Sequence, residues 1–268
     1  MALSIGVFGA CGRMGRRIIE VAVSDKDIEV AAGVEYPGHP AIGQPLGTVV
    51  GIPRLTAPLV GSLHNVMNDI DCIIAFATPE ATMDCIRDAH ADRKPVVIGT
   101  TGFDPGQVDE IKRLSQHVPC VMSANMSIGI NILLALSQQV AKLLSDSFDI
   151  EIVEAHHNQK KDSPSGTALM LGEAIAKATN RTFSTNAVFG RQGILGPRPK
   201  DEIGIHAVRG GDIVGDHTVI FAGLGERIEI THRAHSRDNF ARGALLAAKF
   251  IAKQPSGLYT MQDVLKLV

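Results

Sequence analysis

A chain of 268 residues carrying 26 Lys and Arg against 28 Asp and Glu, a net charge of -2, is long enough for one large domain or two modest ones, and two are expected. The mixed, balanced charge gives no long-range attraction to nucleic acid or an anionic membrane, and a chain without Trp and with two Tyr lacks stacking platforms for single-stranded nucleic acid. No apolar run reaches the roughly 18 to 20 residues that span a bilayer, and the N-terminus enters a strand-like segment almost at once, so the chain reads as cytoplasmic, with no signal peptide and no membrane partner.

Through about residue 127, short and nearly unbroken apolar runs alternate with amphipathic stretches. Strands are predicted at 4–8, 28–34, 72–76, 96–99 and 118–122, with helices at 13–23, 82–90 and 105–116. Such alternation means βαβ units and a parallel sheet, and unbroken apolar strands mean helices on both faces. Residues 37–58, dense in Pro and Gly, read as a long loop near the site. The pattern then changes: a helix at 130–144, a strand at 150–155, a helix at 165–178 and a Gly-rich polar segment at 190–204. Strands at 206–209, 217–221 and 227–232 suit a mixed or antiparallel sheet. Helices at 240–253 and 261–268 close the chain. The expected fold class is α/β, a doubly wound parallel sheet of the Rossmann type over 1–127 plus an α+β domain with a mixed sheet over 128–238.

At the first strand-to-helix turn stand Gly9, Ala10, Cys11, Gly12, Arg13, Met14 and Gly15. Glycines three apart let the backbone approach a pyrophosphate, and the helix start aims free N–H groups at it. The spacing alone would fit any tight turn. Glu35, 20 residues after Gly15 at the end of the second predicted strand, adds a carboxylate suited to the adenosine ribose hydroxyls. Tyr36 and Pro37 follow it with no Lys or Arg to meet a 2′-phosphate, so NADH is favoured; Arg13 and Arg16 leave NADPH open. Gly99, Thr100 and Thr101 after one strand, and Ser123, Ala124, Asn125 and Met126 after another, share the rim where α/β sheets bind ligands.

Glu154-Ala155-His156-His157 closes a strand, Asn158 to Asp162 form a polar loop, and Ser163-Pro164-Ser165-Gly166-Thr167 opens a helix. Gly166 and Thr167 place backbone N–H groups and a hydroxyl at the positive end of a helix dipole, which suits a carboxylate. His156, His157, Lys160 and Lys161 crowd donors and cations into one loop. Hydride addition to carbon needs a proton at the partner atom, and His or Lys can deliver it. Structural roles are expected for His206, His217, His232 and His235, which lack metal-ligand spacing, and no metal is expected. Cys11, Cys72, Cys85 and Cys120 show no C-x-x-C pair, and the last three read as small hydrophobes.

The stretch Glu154 to Ala168, together with Gly9 to Gly15, Gly99-Thr100-Thr101-Gly102-Phe103, Ala124-Asn125, Gly210 to Gly215 and Glu229-Ile230-Thr231-His232, resembles the 4-hydroxy-tetrahydrodipicolinate (dihydrodipicolinate) reductases of bacterial lysine biosynthesis. The resemblance spans essentially the whole chain. It implies reduction of a cyclic, imine-forming dicarboxylate by hydride from a nicotinamide, with loss of water. It further implies His156 and Lys160 as proton donors, and His157, Gly166 and Thr167 as substrate-holding residues. The N-terminal domain would be completed by 239–268, and 128–238 would bind substrate and build a homotetramer. Cys11, Tyr36, Met126 and Asn158-Gln159 stand where the family often has Gly, a basic residue, Phe and Arg-His. A non-catalytic nucleotide-responsive binding protein is the rival reading.

Overall fold

In a computed structural model of the chain, described over residues 1–144 and 147–267, two compact units form. One is Met1–Ile128 with the chain from Asp238 onward, and the other is Gly129–Arg237.

The first unit is built on strands β1 (Leu3–Phe8), β2 (Ile28–Val34), β3 (Leu59–Val60), β4 (Cys72–Ala75), β5 (Val96–Ile98) and β6 (Pro119–Met122), joined by Gly257–Tyr259 at the edge beside β6. All pair in parallel, in the order Gly257–Tyr259, β6, β5, β4, β1, β2, β3. The chain therefore winds outward from β1 in both directions, and a ligand crevice opens beyond the carboxyl ends at that reversal. Alternate side chains sort to two faces. Ile5, Val7, Ile74, Val97 and Val121 pack with the helices Arg13–Ala22 and Asp238–Ile251, and Ala32, Ile73, Ala75 and Ile98 pack with Pro79–Ala91 and Pro105–Leu114. Each Ile or Leu buried in this way contributes about 2 kcal/mol of transfer free energy. Cys72, Cys85 and Cys120 are part of this packing, and burial pushes the Cys120 thiol up to about 12.

Three features differ from the sequence reading. Residues 37–58 are not wholly irregular: the short helix Leu46–Val50 buries Leu46 in the core, where the missing side chain of Gly33 makes room for it. β3 and Gly257–Tyr259 are edge strands too short to leave a periodic signal. The last helix is Met261–Val264, and Val268 lies outside the described residues. Among the described residues, no helix is long and apolar enough to cross a membrane.

The second unit holds β7 (Asp149–His156), β8 (Ala187–Phe189), β9 (Ile203–Arg209), β10 (Gly215–Ala222) and β11 (Arg227–Ala234), in the order β11-β10-β7-β9-β8. β10 pairs antiparallel with β11 and β7, while β9 pairs parallel with β7 and β8, so the sheet is mixed as expected. β7 alternates strictly. Ile150 and Ile152 join Val219, Phe221, Leu133, Leu171 and Ile175 in a core beneath the helices Ile128–Leu144 and Gly166–Ala178, and the same face continues into buried Glu154 and His156. The opposite face carries Glu151, which the Gly-rich segment surrounds with Arg191 and Arg198. β8 and the helix Phe183–Asn186 escaped the sequence reading, being three and four residues long.

Candidate active site

The turn after β1 is tight for identifiable reasons. Gly9 has φ +81, a left-handed conformation, and a Cβ there would run into the Phe76 carbonyl oxygen; a Cβ on Gly15 would run into that of Gly9. The helix Arg13–Ala22 that follows starts at Gly12 with no side-chain cap, so its first N–H groups remain available to an anion. Beyond the turn lies a cleft of ≈ 850 Å³ lined by Gly9, Cys11, Gly12, Glu35, Tyr36, His39 and Phe76 among others.

Glu35 is drawn onto the glycine turn. Its Oε2 accepts from the Cys11 amide at 3.0 Å and its Oε1 from the Tyr36 amide at 3.2 Å, which leaves lone pairs for a ribose diol. Arg16 is committed to the backbone, donating to the Cys11 carbonyl at 2.9 Å and the Val49 carbonyl at 2.7 Å. Arg13 is exposed. His39 accepts from the Ala41 amide at Nδ1 (3.2 Å), so a neutral ring carries its proton on Nε2, and it packs edge-on to Tyr36. Asp84 and Asp88 line the same cleft; burial, ahead of neighbouring charges, raises the Asp88 carboxyl above its ordinary value.

The remaining sequence-selected positions in this unit divide into exposed and buried. Thr101 and Ala124 are exposed on the rim, with Gly99, Ser123 and Asn125 partly so. Thr100 is buried and stitches two turns together, meeting the Thr82 hydroxyl at 2.8 Å and accepting from the Ala77 amide at 3.1 Å. Ala10 and Met126 are buried in the core, and Met14 packs at its edge. The Met126 carbonyl approaches Gly243 too closely for any side chain there.

In the second unit, strand register gathers the other group. His156 on β7 pairs with Arg209 on β9, and Glu154 pairs with His217 on β10. Glu154 is fully buried. Its Oε1 accepts from the Ser165 amide at 2.9 Å and Arg209 Nη2 at 2.7 Å; its Oε2 accepts from Arg209 Nη1 at 2.8 Å and meets His156 Nδ1 at 2.6 Å. Burial pushes the Glu154 carboxyl up, but Arg209, His156 and the Ser165 amide outweigh it and hold the group below the ordinary carboxylate range. An ionised carboxylate only accepts, so His156 Nδ1 carries a proton and donates it.

Ser165 caps the helix Gly166–Ala178, accepting from the Ala168 amide at 3.2 Å, and its hydroxyl meets His217 Nε2 at 3.2 Å. The His217 ring lies edge-on to that of His156, centroids 5.1 Å apart. Burial, reinforced by the neighbouring His156, pushes His217 down to about 3, so the ring is neutral. Gly166 is exposed at the helix start, with open space around its Cα, and Thr167 is partly exposed beside it. Lys160 reaches Asp162 at 2.9 Å across the loop, and His157 is half-buried next to it. The structure thus brings His156, His157, Lys160, Gly166 and Thr167 into one unit on one strand, loop and helix start. Glu154, Arg209 and His217 behind them were missed as site residues. Glu154 was legible through its i, i+2 spacing from His156, which puts both on one strand face. Arg209, 55 positions after Glu154 in the chain, arrives through sheet pairing that no local pattern announces.

Two family models match nearly all of the chain: dihydrodipicolinate reductase, N-terminus, over residues 3–126, and dihydrodipicolinate reductase, C-terminus, over residues 129–265. The 4-hydroxy-tetrahydrodipicolinate reductase of Geotalea uraniireducens (strain Rf4) is 47% identical over 265 residues, covering 99% of each chain. That of Trichlorobacter lovleyi is 48% identical over 265 residues, again covering 99% of each. Among solved structures, a dipicolinate-bound dihydrodipicolinate reductase from Paenisporosarcina sp. TG-14 has the same fold, with TM-score 0.77 at 24% identity over 98% of this chain and 99% of that one.

Proposed function

This chain belongs to the dihydrodipicolinate reductase family, and from that premise we propose that it reduces 4-hydroxy-tetrahydrodipicolinate to tetrahydrodipicolinate, with NADH as the favoured reductant and His156 and Lys160 as the proton donors. The observation that carries this reading is the imidazole of His156, held by a buried carboxylate beside an exposed, glycine-started helix N-terminus.

The net reaction takes in one hydride and one proton and releases one water. A bound nicotinamide supplies the hydride. The chain supplies the rest. Gly9, Ala10, Cys11, Gly12, Arg13 and Met14 form the phosphate turn, and Glu35 takes the ribose diol. Gly99, Thr100 and Thr101, with Ser123, Ala124, Asn125 and Met126, shape the nicotinamide end, Thr100 and Met126 from within the packing. Gly166 and Thr167, aided by His157, hold a substrate carboxylate at the positive end of the helix, where the Gly166 amide otherwise meets the Asp162 carboxylate. With Nδ1 committed to Glu154, His156 keeps Nε2 for the transferred proton, while Lys160 offers a cation and a second donor.

The preference for NADH rests on the ribose end of the cleft. Glu35 stands there while Asp84 and Asp88 line the same cleft, Arg16 is tied to carbonyls, and a 2′-phosphate dianion beside Glu35 would meet like charge. Residues 128–238 serve as the substrate and oligomerisation domain and 239–268 complete the dinucleotide domain. Exposed Phe189, Leu195, Val208 and Ile228 support assembly into a homotetramer through the second unit. The enzyme acts in the cytoplasm.

Turnover is the test. Supplying the condensation product of pyruvate and aspartate semialdehyde should trigger NADH oxidation, with a lower kcat/KM for NADPH. NADH that persists in its presence would refute the activity, and faster use of NADPH would refute the preference alone.

A further inference from the structure

Glu154 makes more contacts than a buried carboxylate needs. A bidentate guanidinium is enough to compensate its charge, and Arg209 provides one, touching both oxygens. The second acceptor position of each oxygen goes elsewhere: Oε2 takes the Nδ1–H of His156, and Oε1 takes the amide of Ser165, the N-cap of Gly166–Ala178. All four acceptor sites of the carboxylate are thereby used. One oxygen is spent on the proton-donor ring and the other on Ser165, the cap of the helix whose Gly166 amide meets the Asp162 carboxylate.

We propose that Glu154 is a positioning residue that sets both arms of the substrate site from one point, a proposal that rests on His156 being the proton donor. Through Oε2 it confines the neutral imidazole to the Nδ1–H tautomer, which leaves Nε2 as the nitrogen that gives up and regains the proton. Through Oε1 it fixes Ser165, whose hydroxyl in turn accepts from the Ala168 amide and meets His217. His217 closes the cluster from β10 as a neutral, edge-on neighbour of His156, and Gly215 on the same strand keeps room beside Nε2, from which a Cβ would lie 3.0 Å. Arg209 acts one step further back, holding the carboxylate ionised and in plane.

The test is Glu154→Gln, which keeps the shape and removes the charge. Expected are a kcat lower by about 10²-fold and a KM for the dicarboxylate raised by about tenfold, with NADH affinity unchanged. Nitrogen-15 NMR of the histidine rings, recorded without substrate, should find His156 as the Nδ1–H tautomer in the parent protein and a shift toward Nε2–H in the variant, because the Gln amide can donate to Nδ1. Ser165→Ala, which keeps the backbone N–H to Glu154, should raise KM while leaving the tautomer as it was. An Nε2–H tautomer in the parent protein overturns the proposal with no variant needed, as does a Glu154→Gln enzyme whose kcat stays within about threefold. A parent protein with the expected tautomer that leaves the dicarboxylate unreduced would instead refute the assigned activity.

Discussion

Replacing His156 with Gln is expected to lower kcat by about 10² to 10⁴-fold, the span that a positioned general acid contributes, while NADH affinity holds. The two effects separate because of where the residues lie. His156 sits at the end of β7 in the unit Gly129–Arg237, whereas the glycine turn and Glu35 belong to the other unit. Gln fills much of the imidazole volume and can still donate to Glu154, so the buried carboxylate keeps Arg209, Ser165 and a replacement donor. What is lost is an imidazole that can pass a proton through Nε2. Steady-state kinetics with a parallel NADH titration reads both quantities. A variant with full kcat would remove His156 from the chemistry, and one that loses NADH affinity in proportion would mark it as structural.

The second large effect concerns acid stability. Glu151, on the open face of β7, accepts from Arg191 at 2.9 Å, Arg198 at 2.8 Å and His206 at 2.7 Å. Burial pushes its carboxyl up, but these partners prevail and hold it at about 2. Gly204 makes the arrangement possible, since a side chain there would occupy the carboxylate's place. Because the folded-state value is depressed, the stabilisation is fully present above about pH 4.5, the unfolded value. It is lost as pH falls toward 2, where the folded carboxylate also takes a proton, and the difference amounts to about 3 kcal/mol. Glu151→Gln should therefore be less stable than the parent protein by about that amount at neutral pH, and the two stability curves should converge near pH 2. Denaturant unfolding across this pH range checks it; curves that stay parallel would show that the ion cluster contributes no pH-dependent stability.

Long elements with clean periodicity were legible in the sequence, and their contacts explain why. β2 was read to its exact ends, and the strands of the parallel sheet appeared as unbroken apolar runs because helices cover both faces. β4, β5 and β6, only three or four residues long, still stood out as apolar runs, whereas β3, β8 and Leu46–Val50 carry too few side chains to show a period and too little apolar contrast with their surroundings. The site divides the same way. His156, Lys160, Gly166 and Thr167 lie within one short stretch of chain and could be read together. Arg209 and His217 reach Glu154 and Ser165 only through strand register, which no local pattern encodes. His217, expected to be structural, supports that expectation in being buried and neutral, yet it lies against the proposed proton donor. Arg16, which left NADPH open on sequence grounds, is held by the Cys11 and Val49 carbonyls, a commitment visible only after folding.

The most direct measurement follows the hydride itself. The purified protein would be given NADH carrying deuterium at both C4 positions, together with the condensation product of pyruvate and aspartate semialdehyde, and the product examined by mass spectrometry. Tetrahydrodipicolinate bearing one deuterium is the expected result. Unlabelled product, or no product while NADH remains intact, would contradict the assignment of this chain as a nicotinamide-dependent reductase of that dicarboxylate.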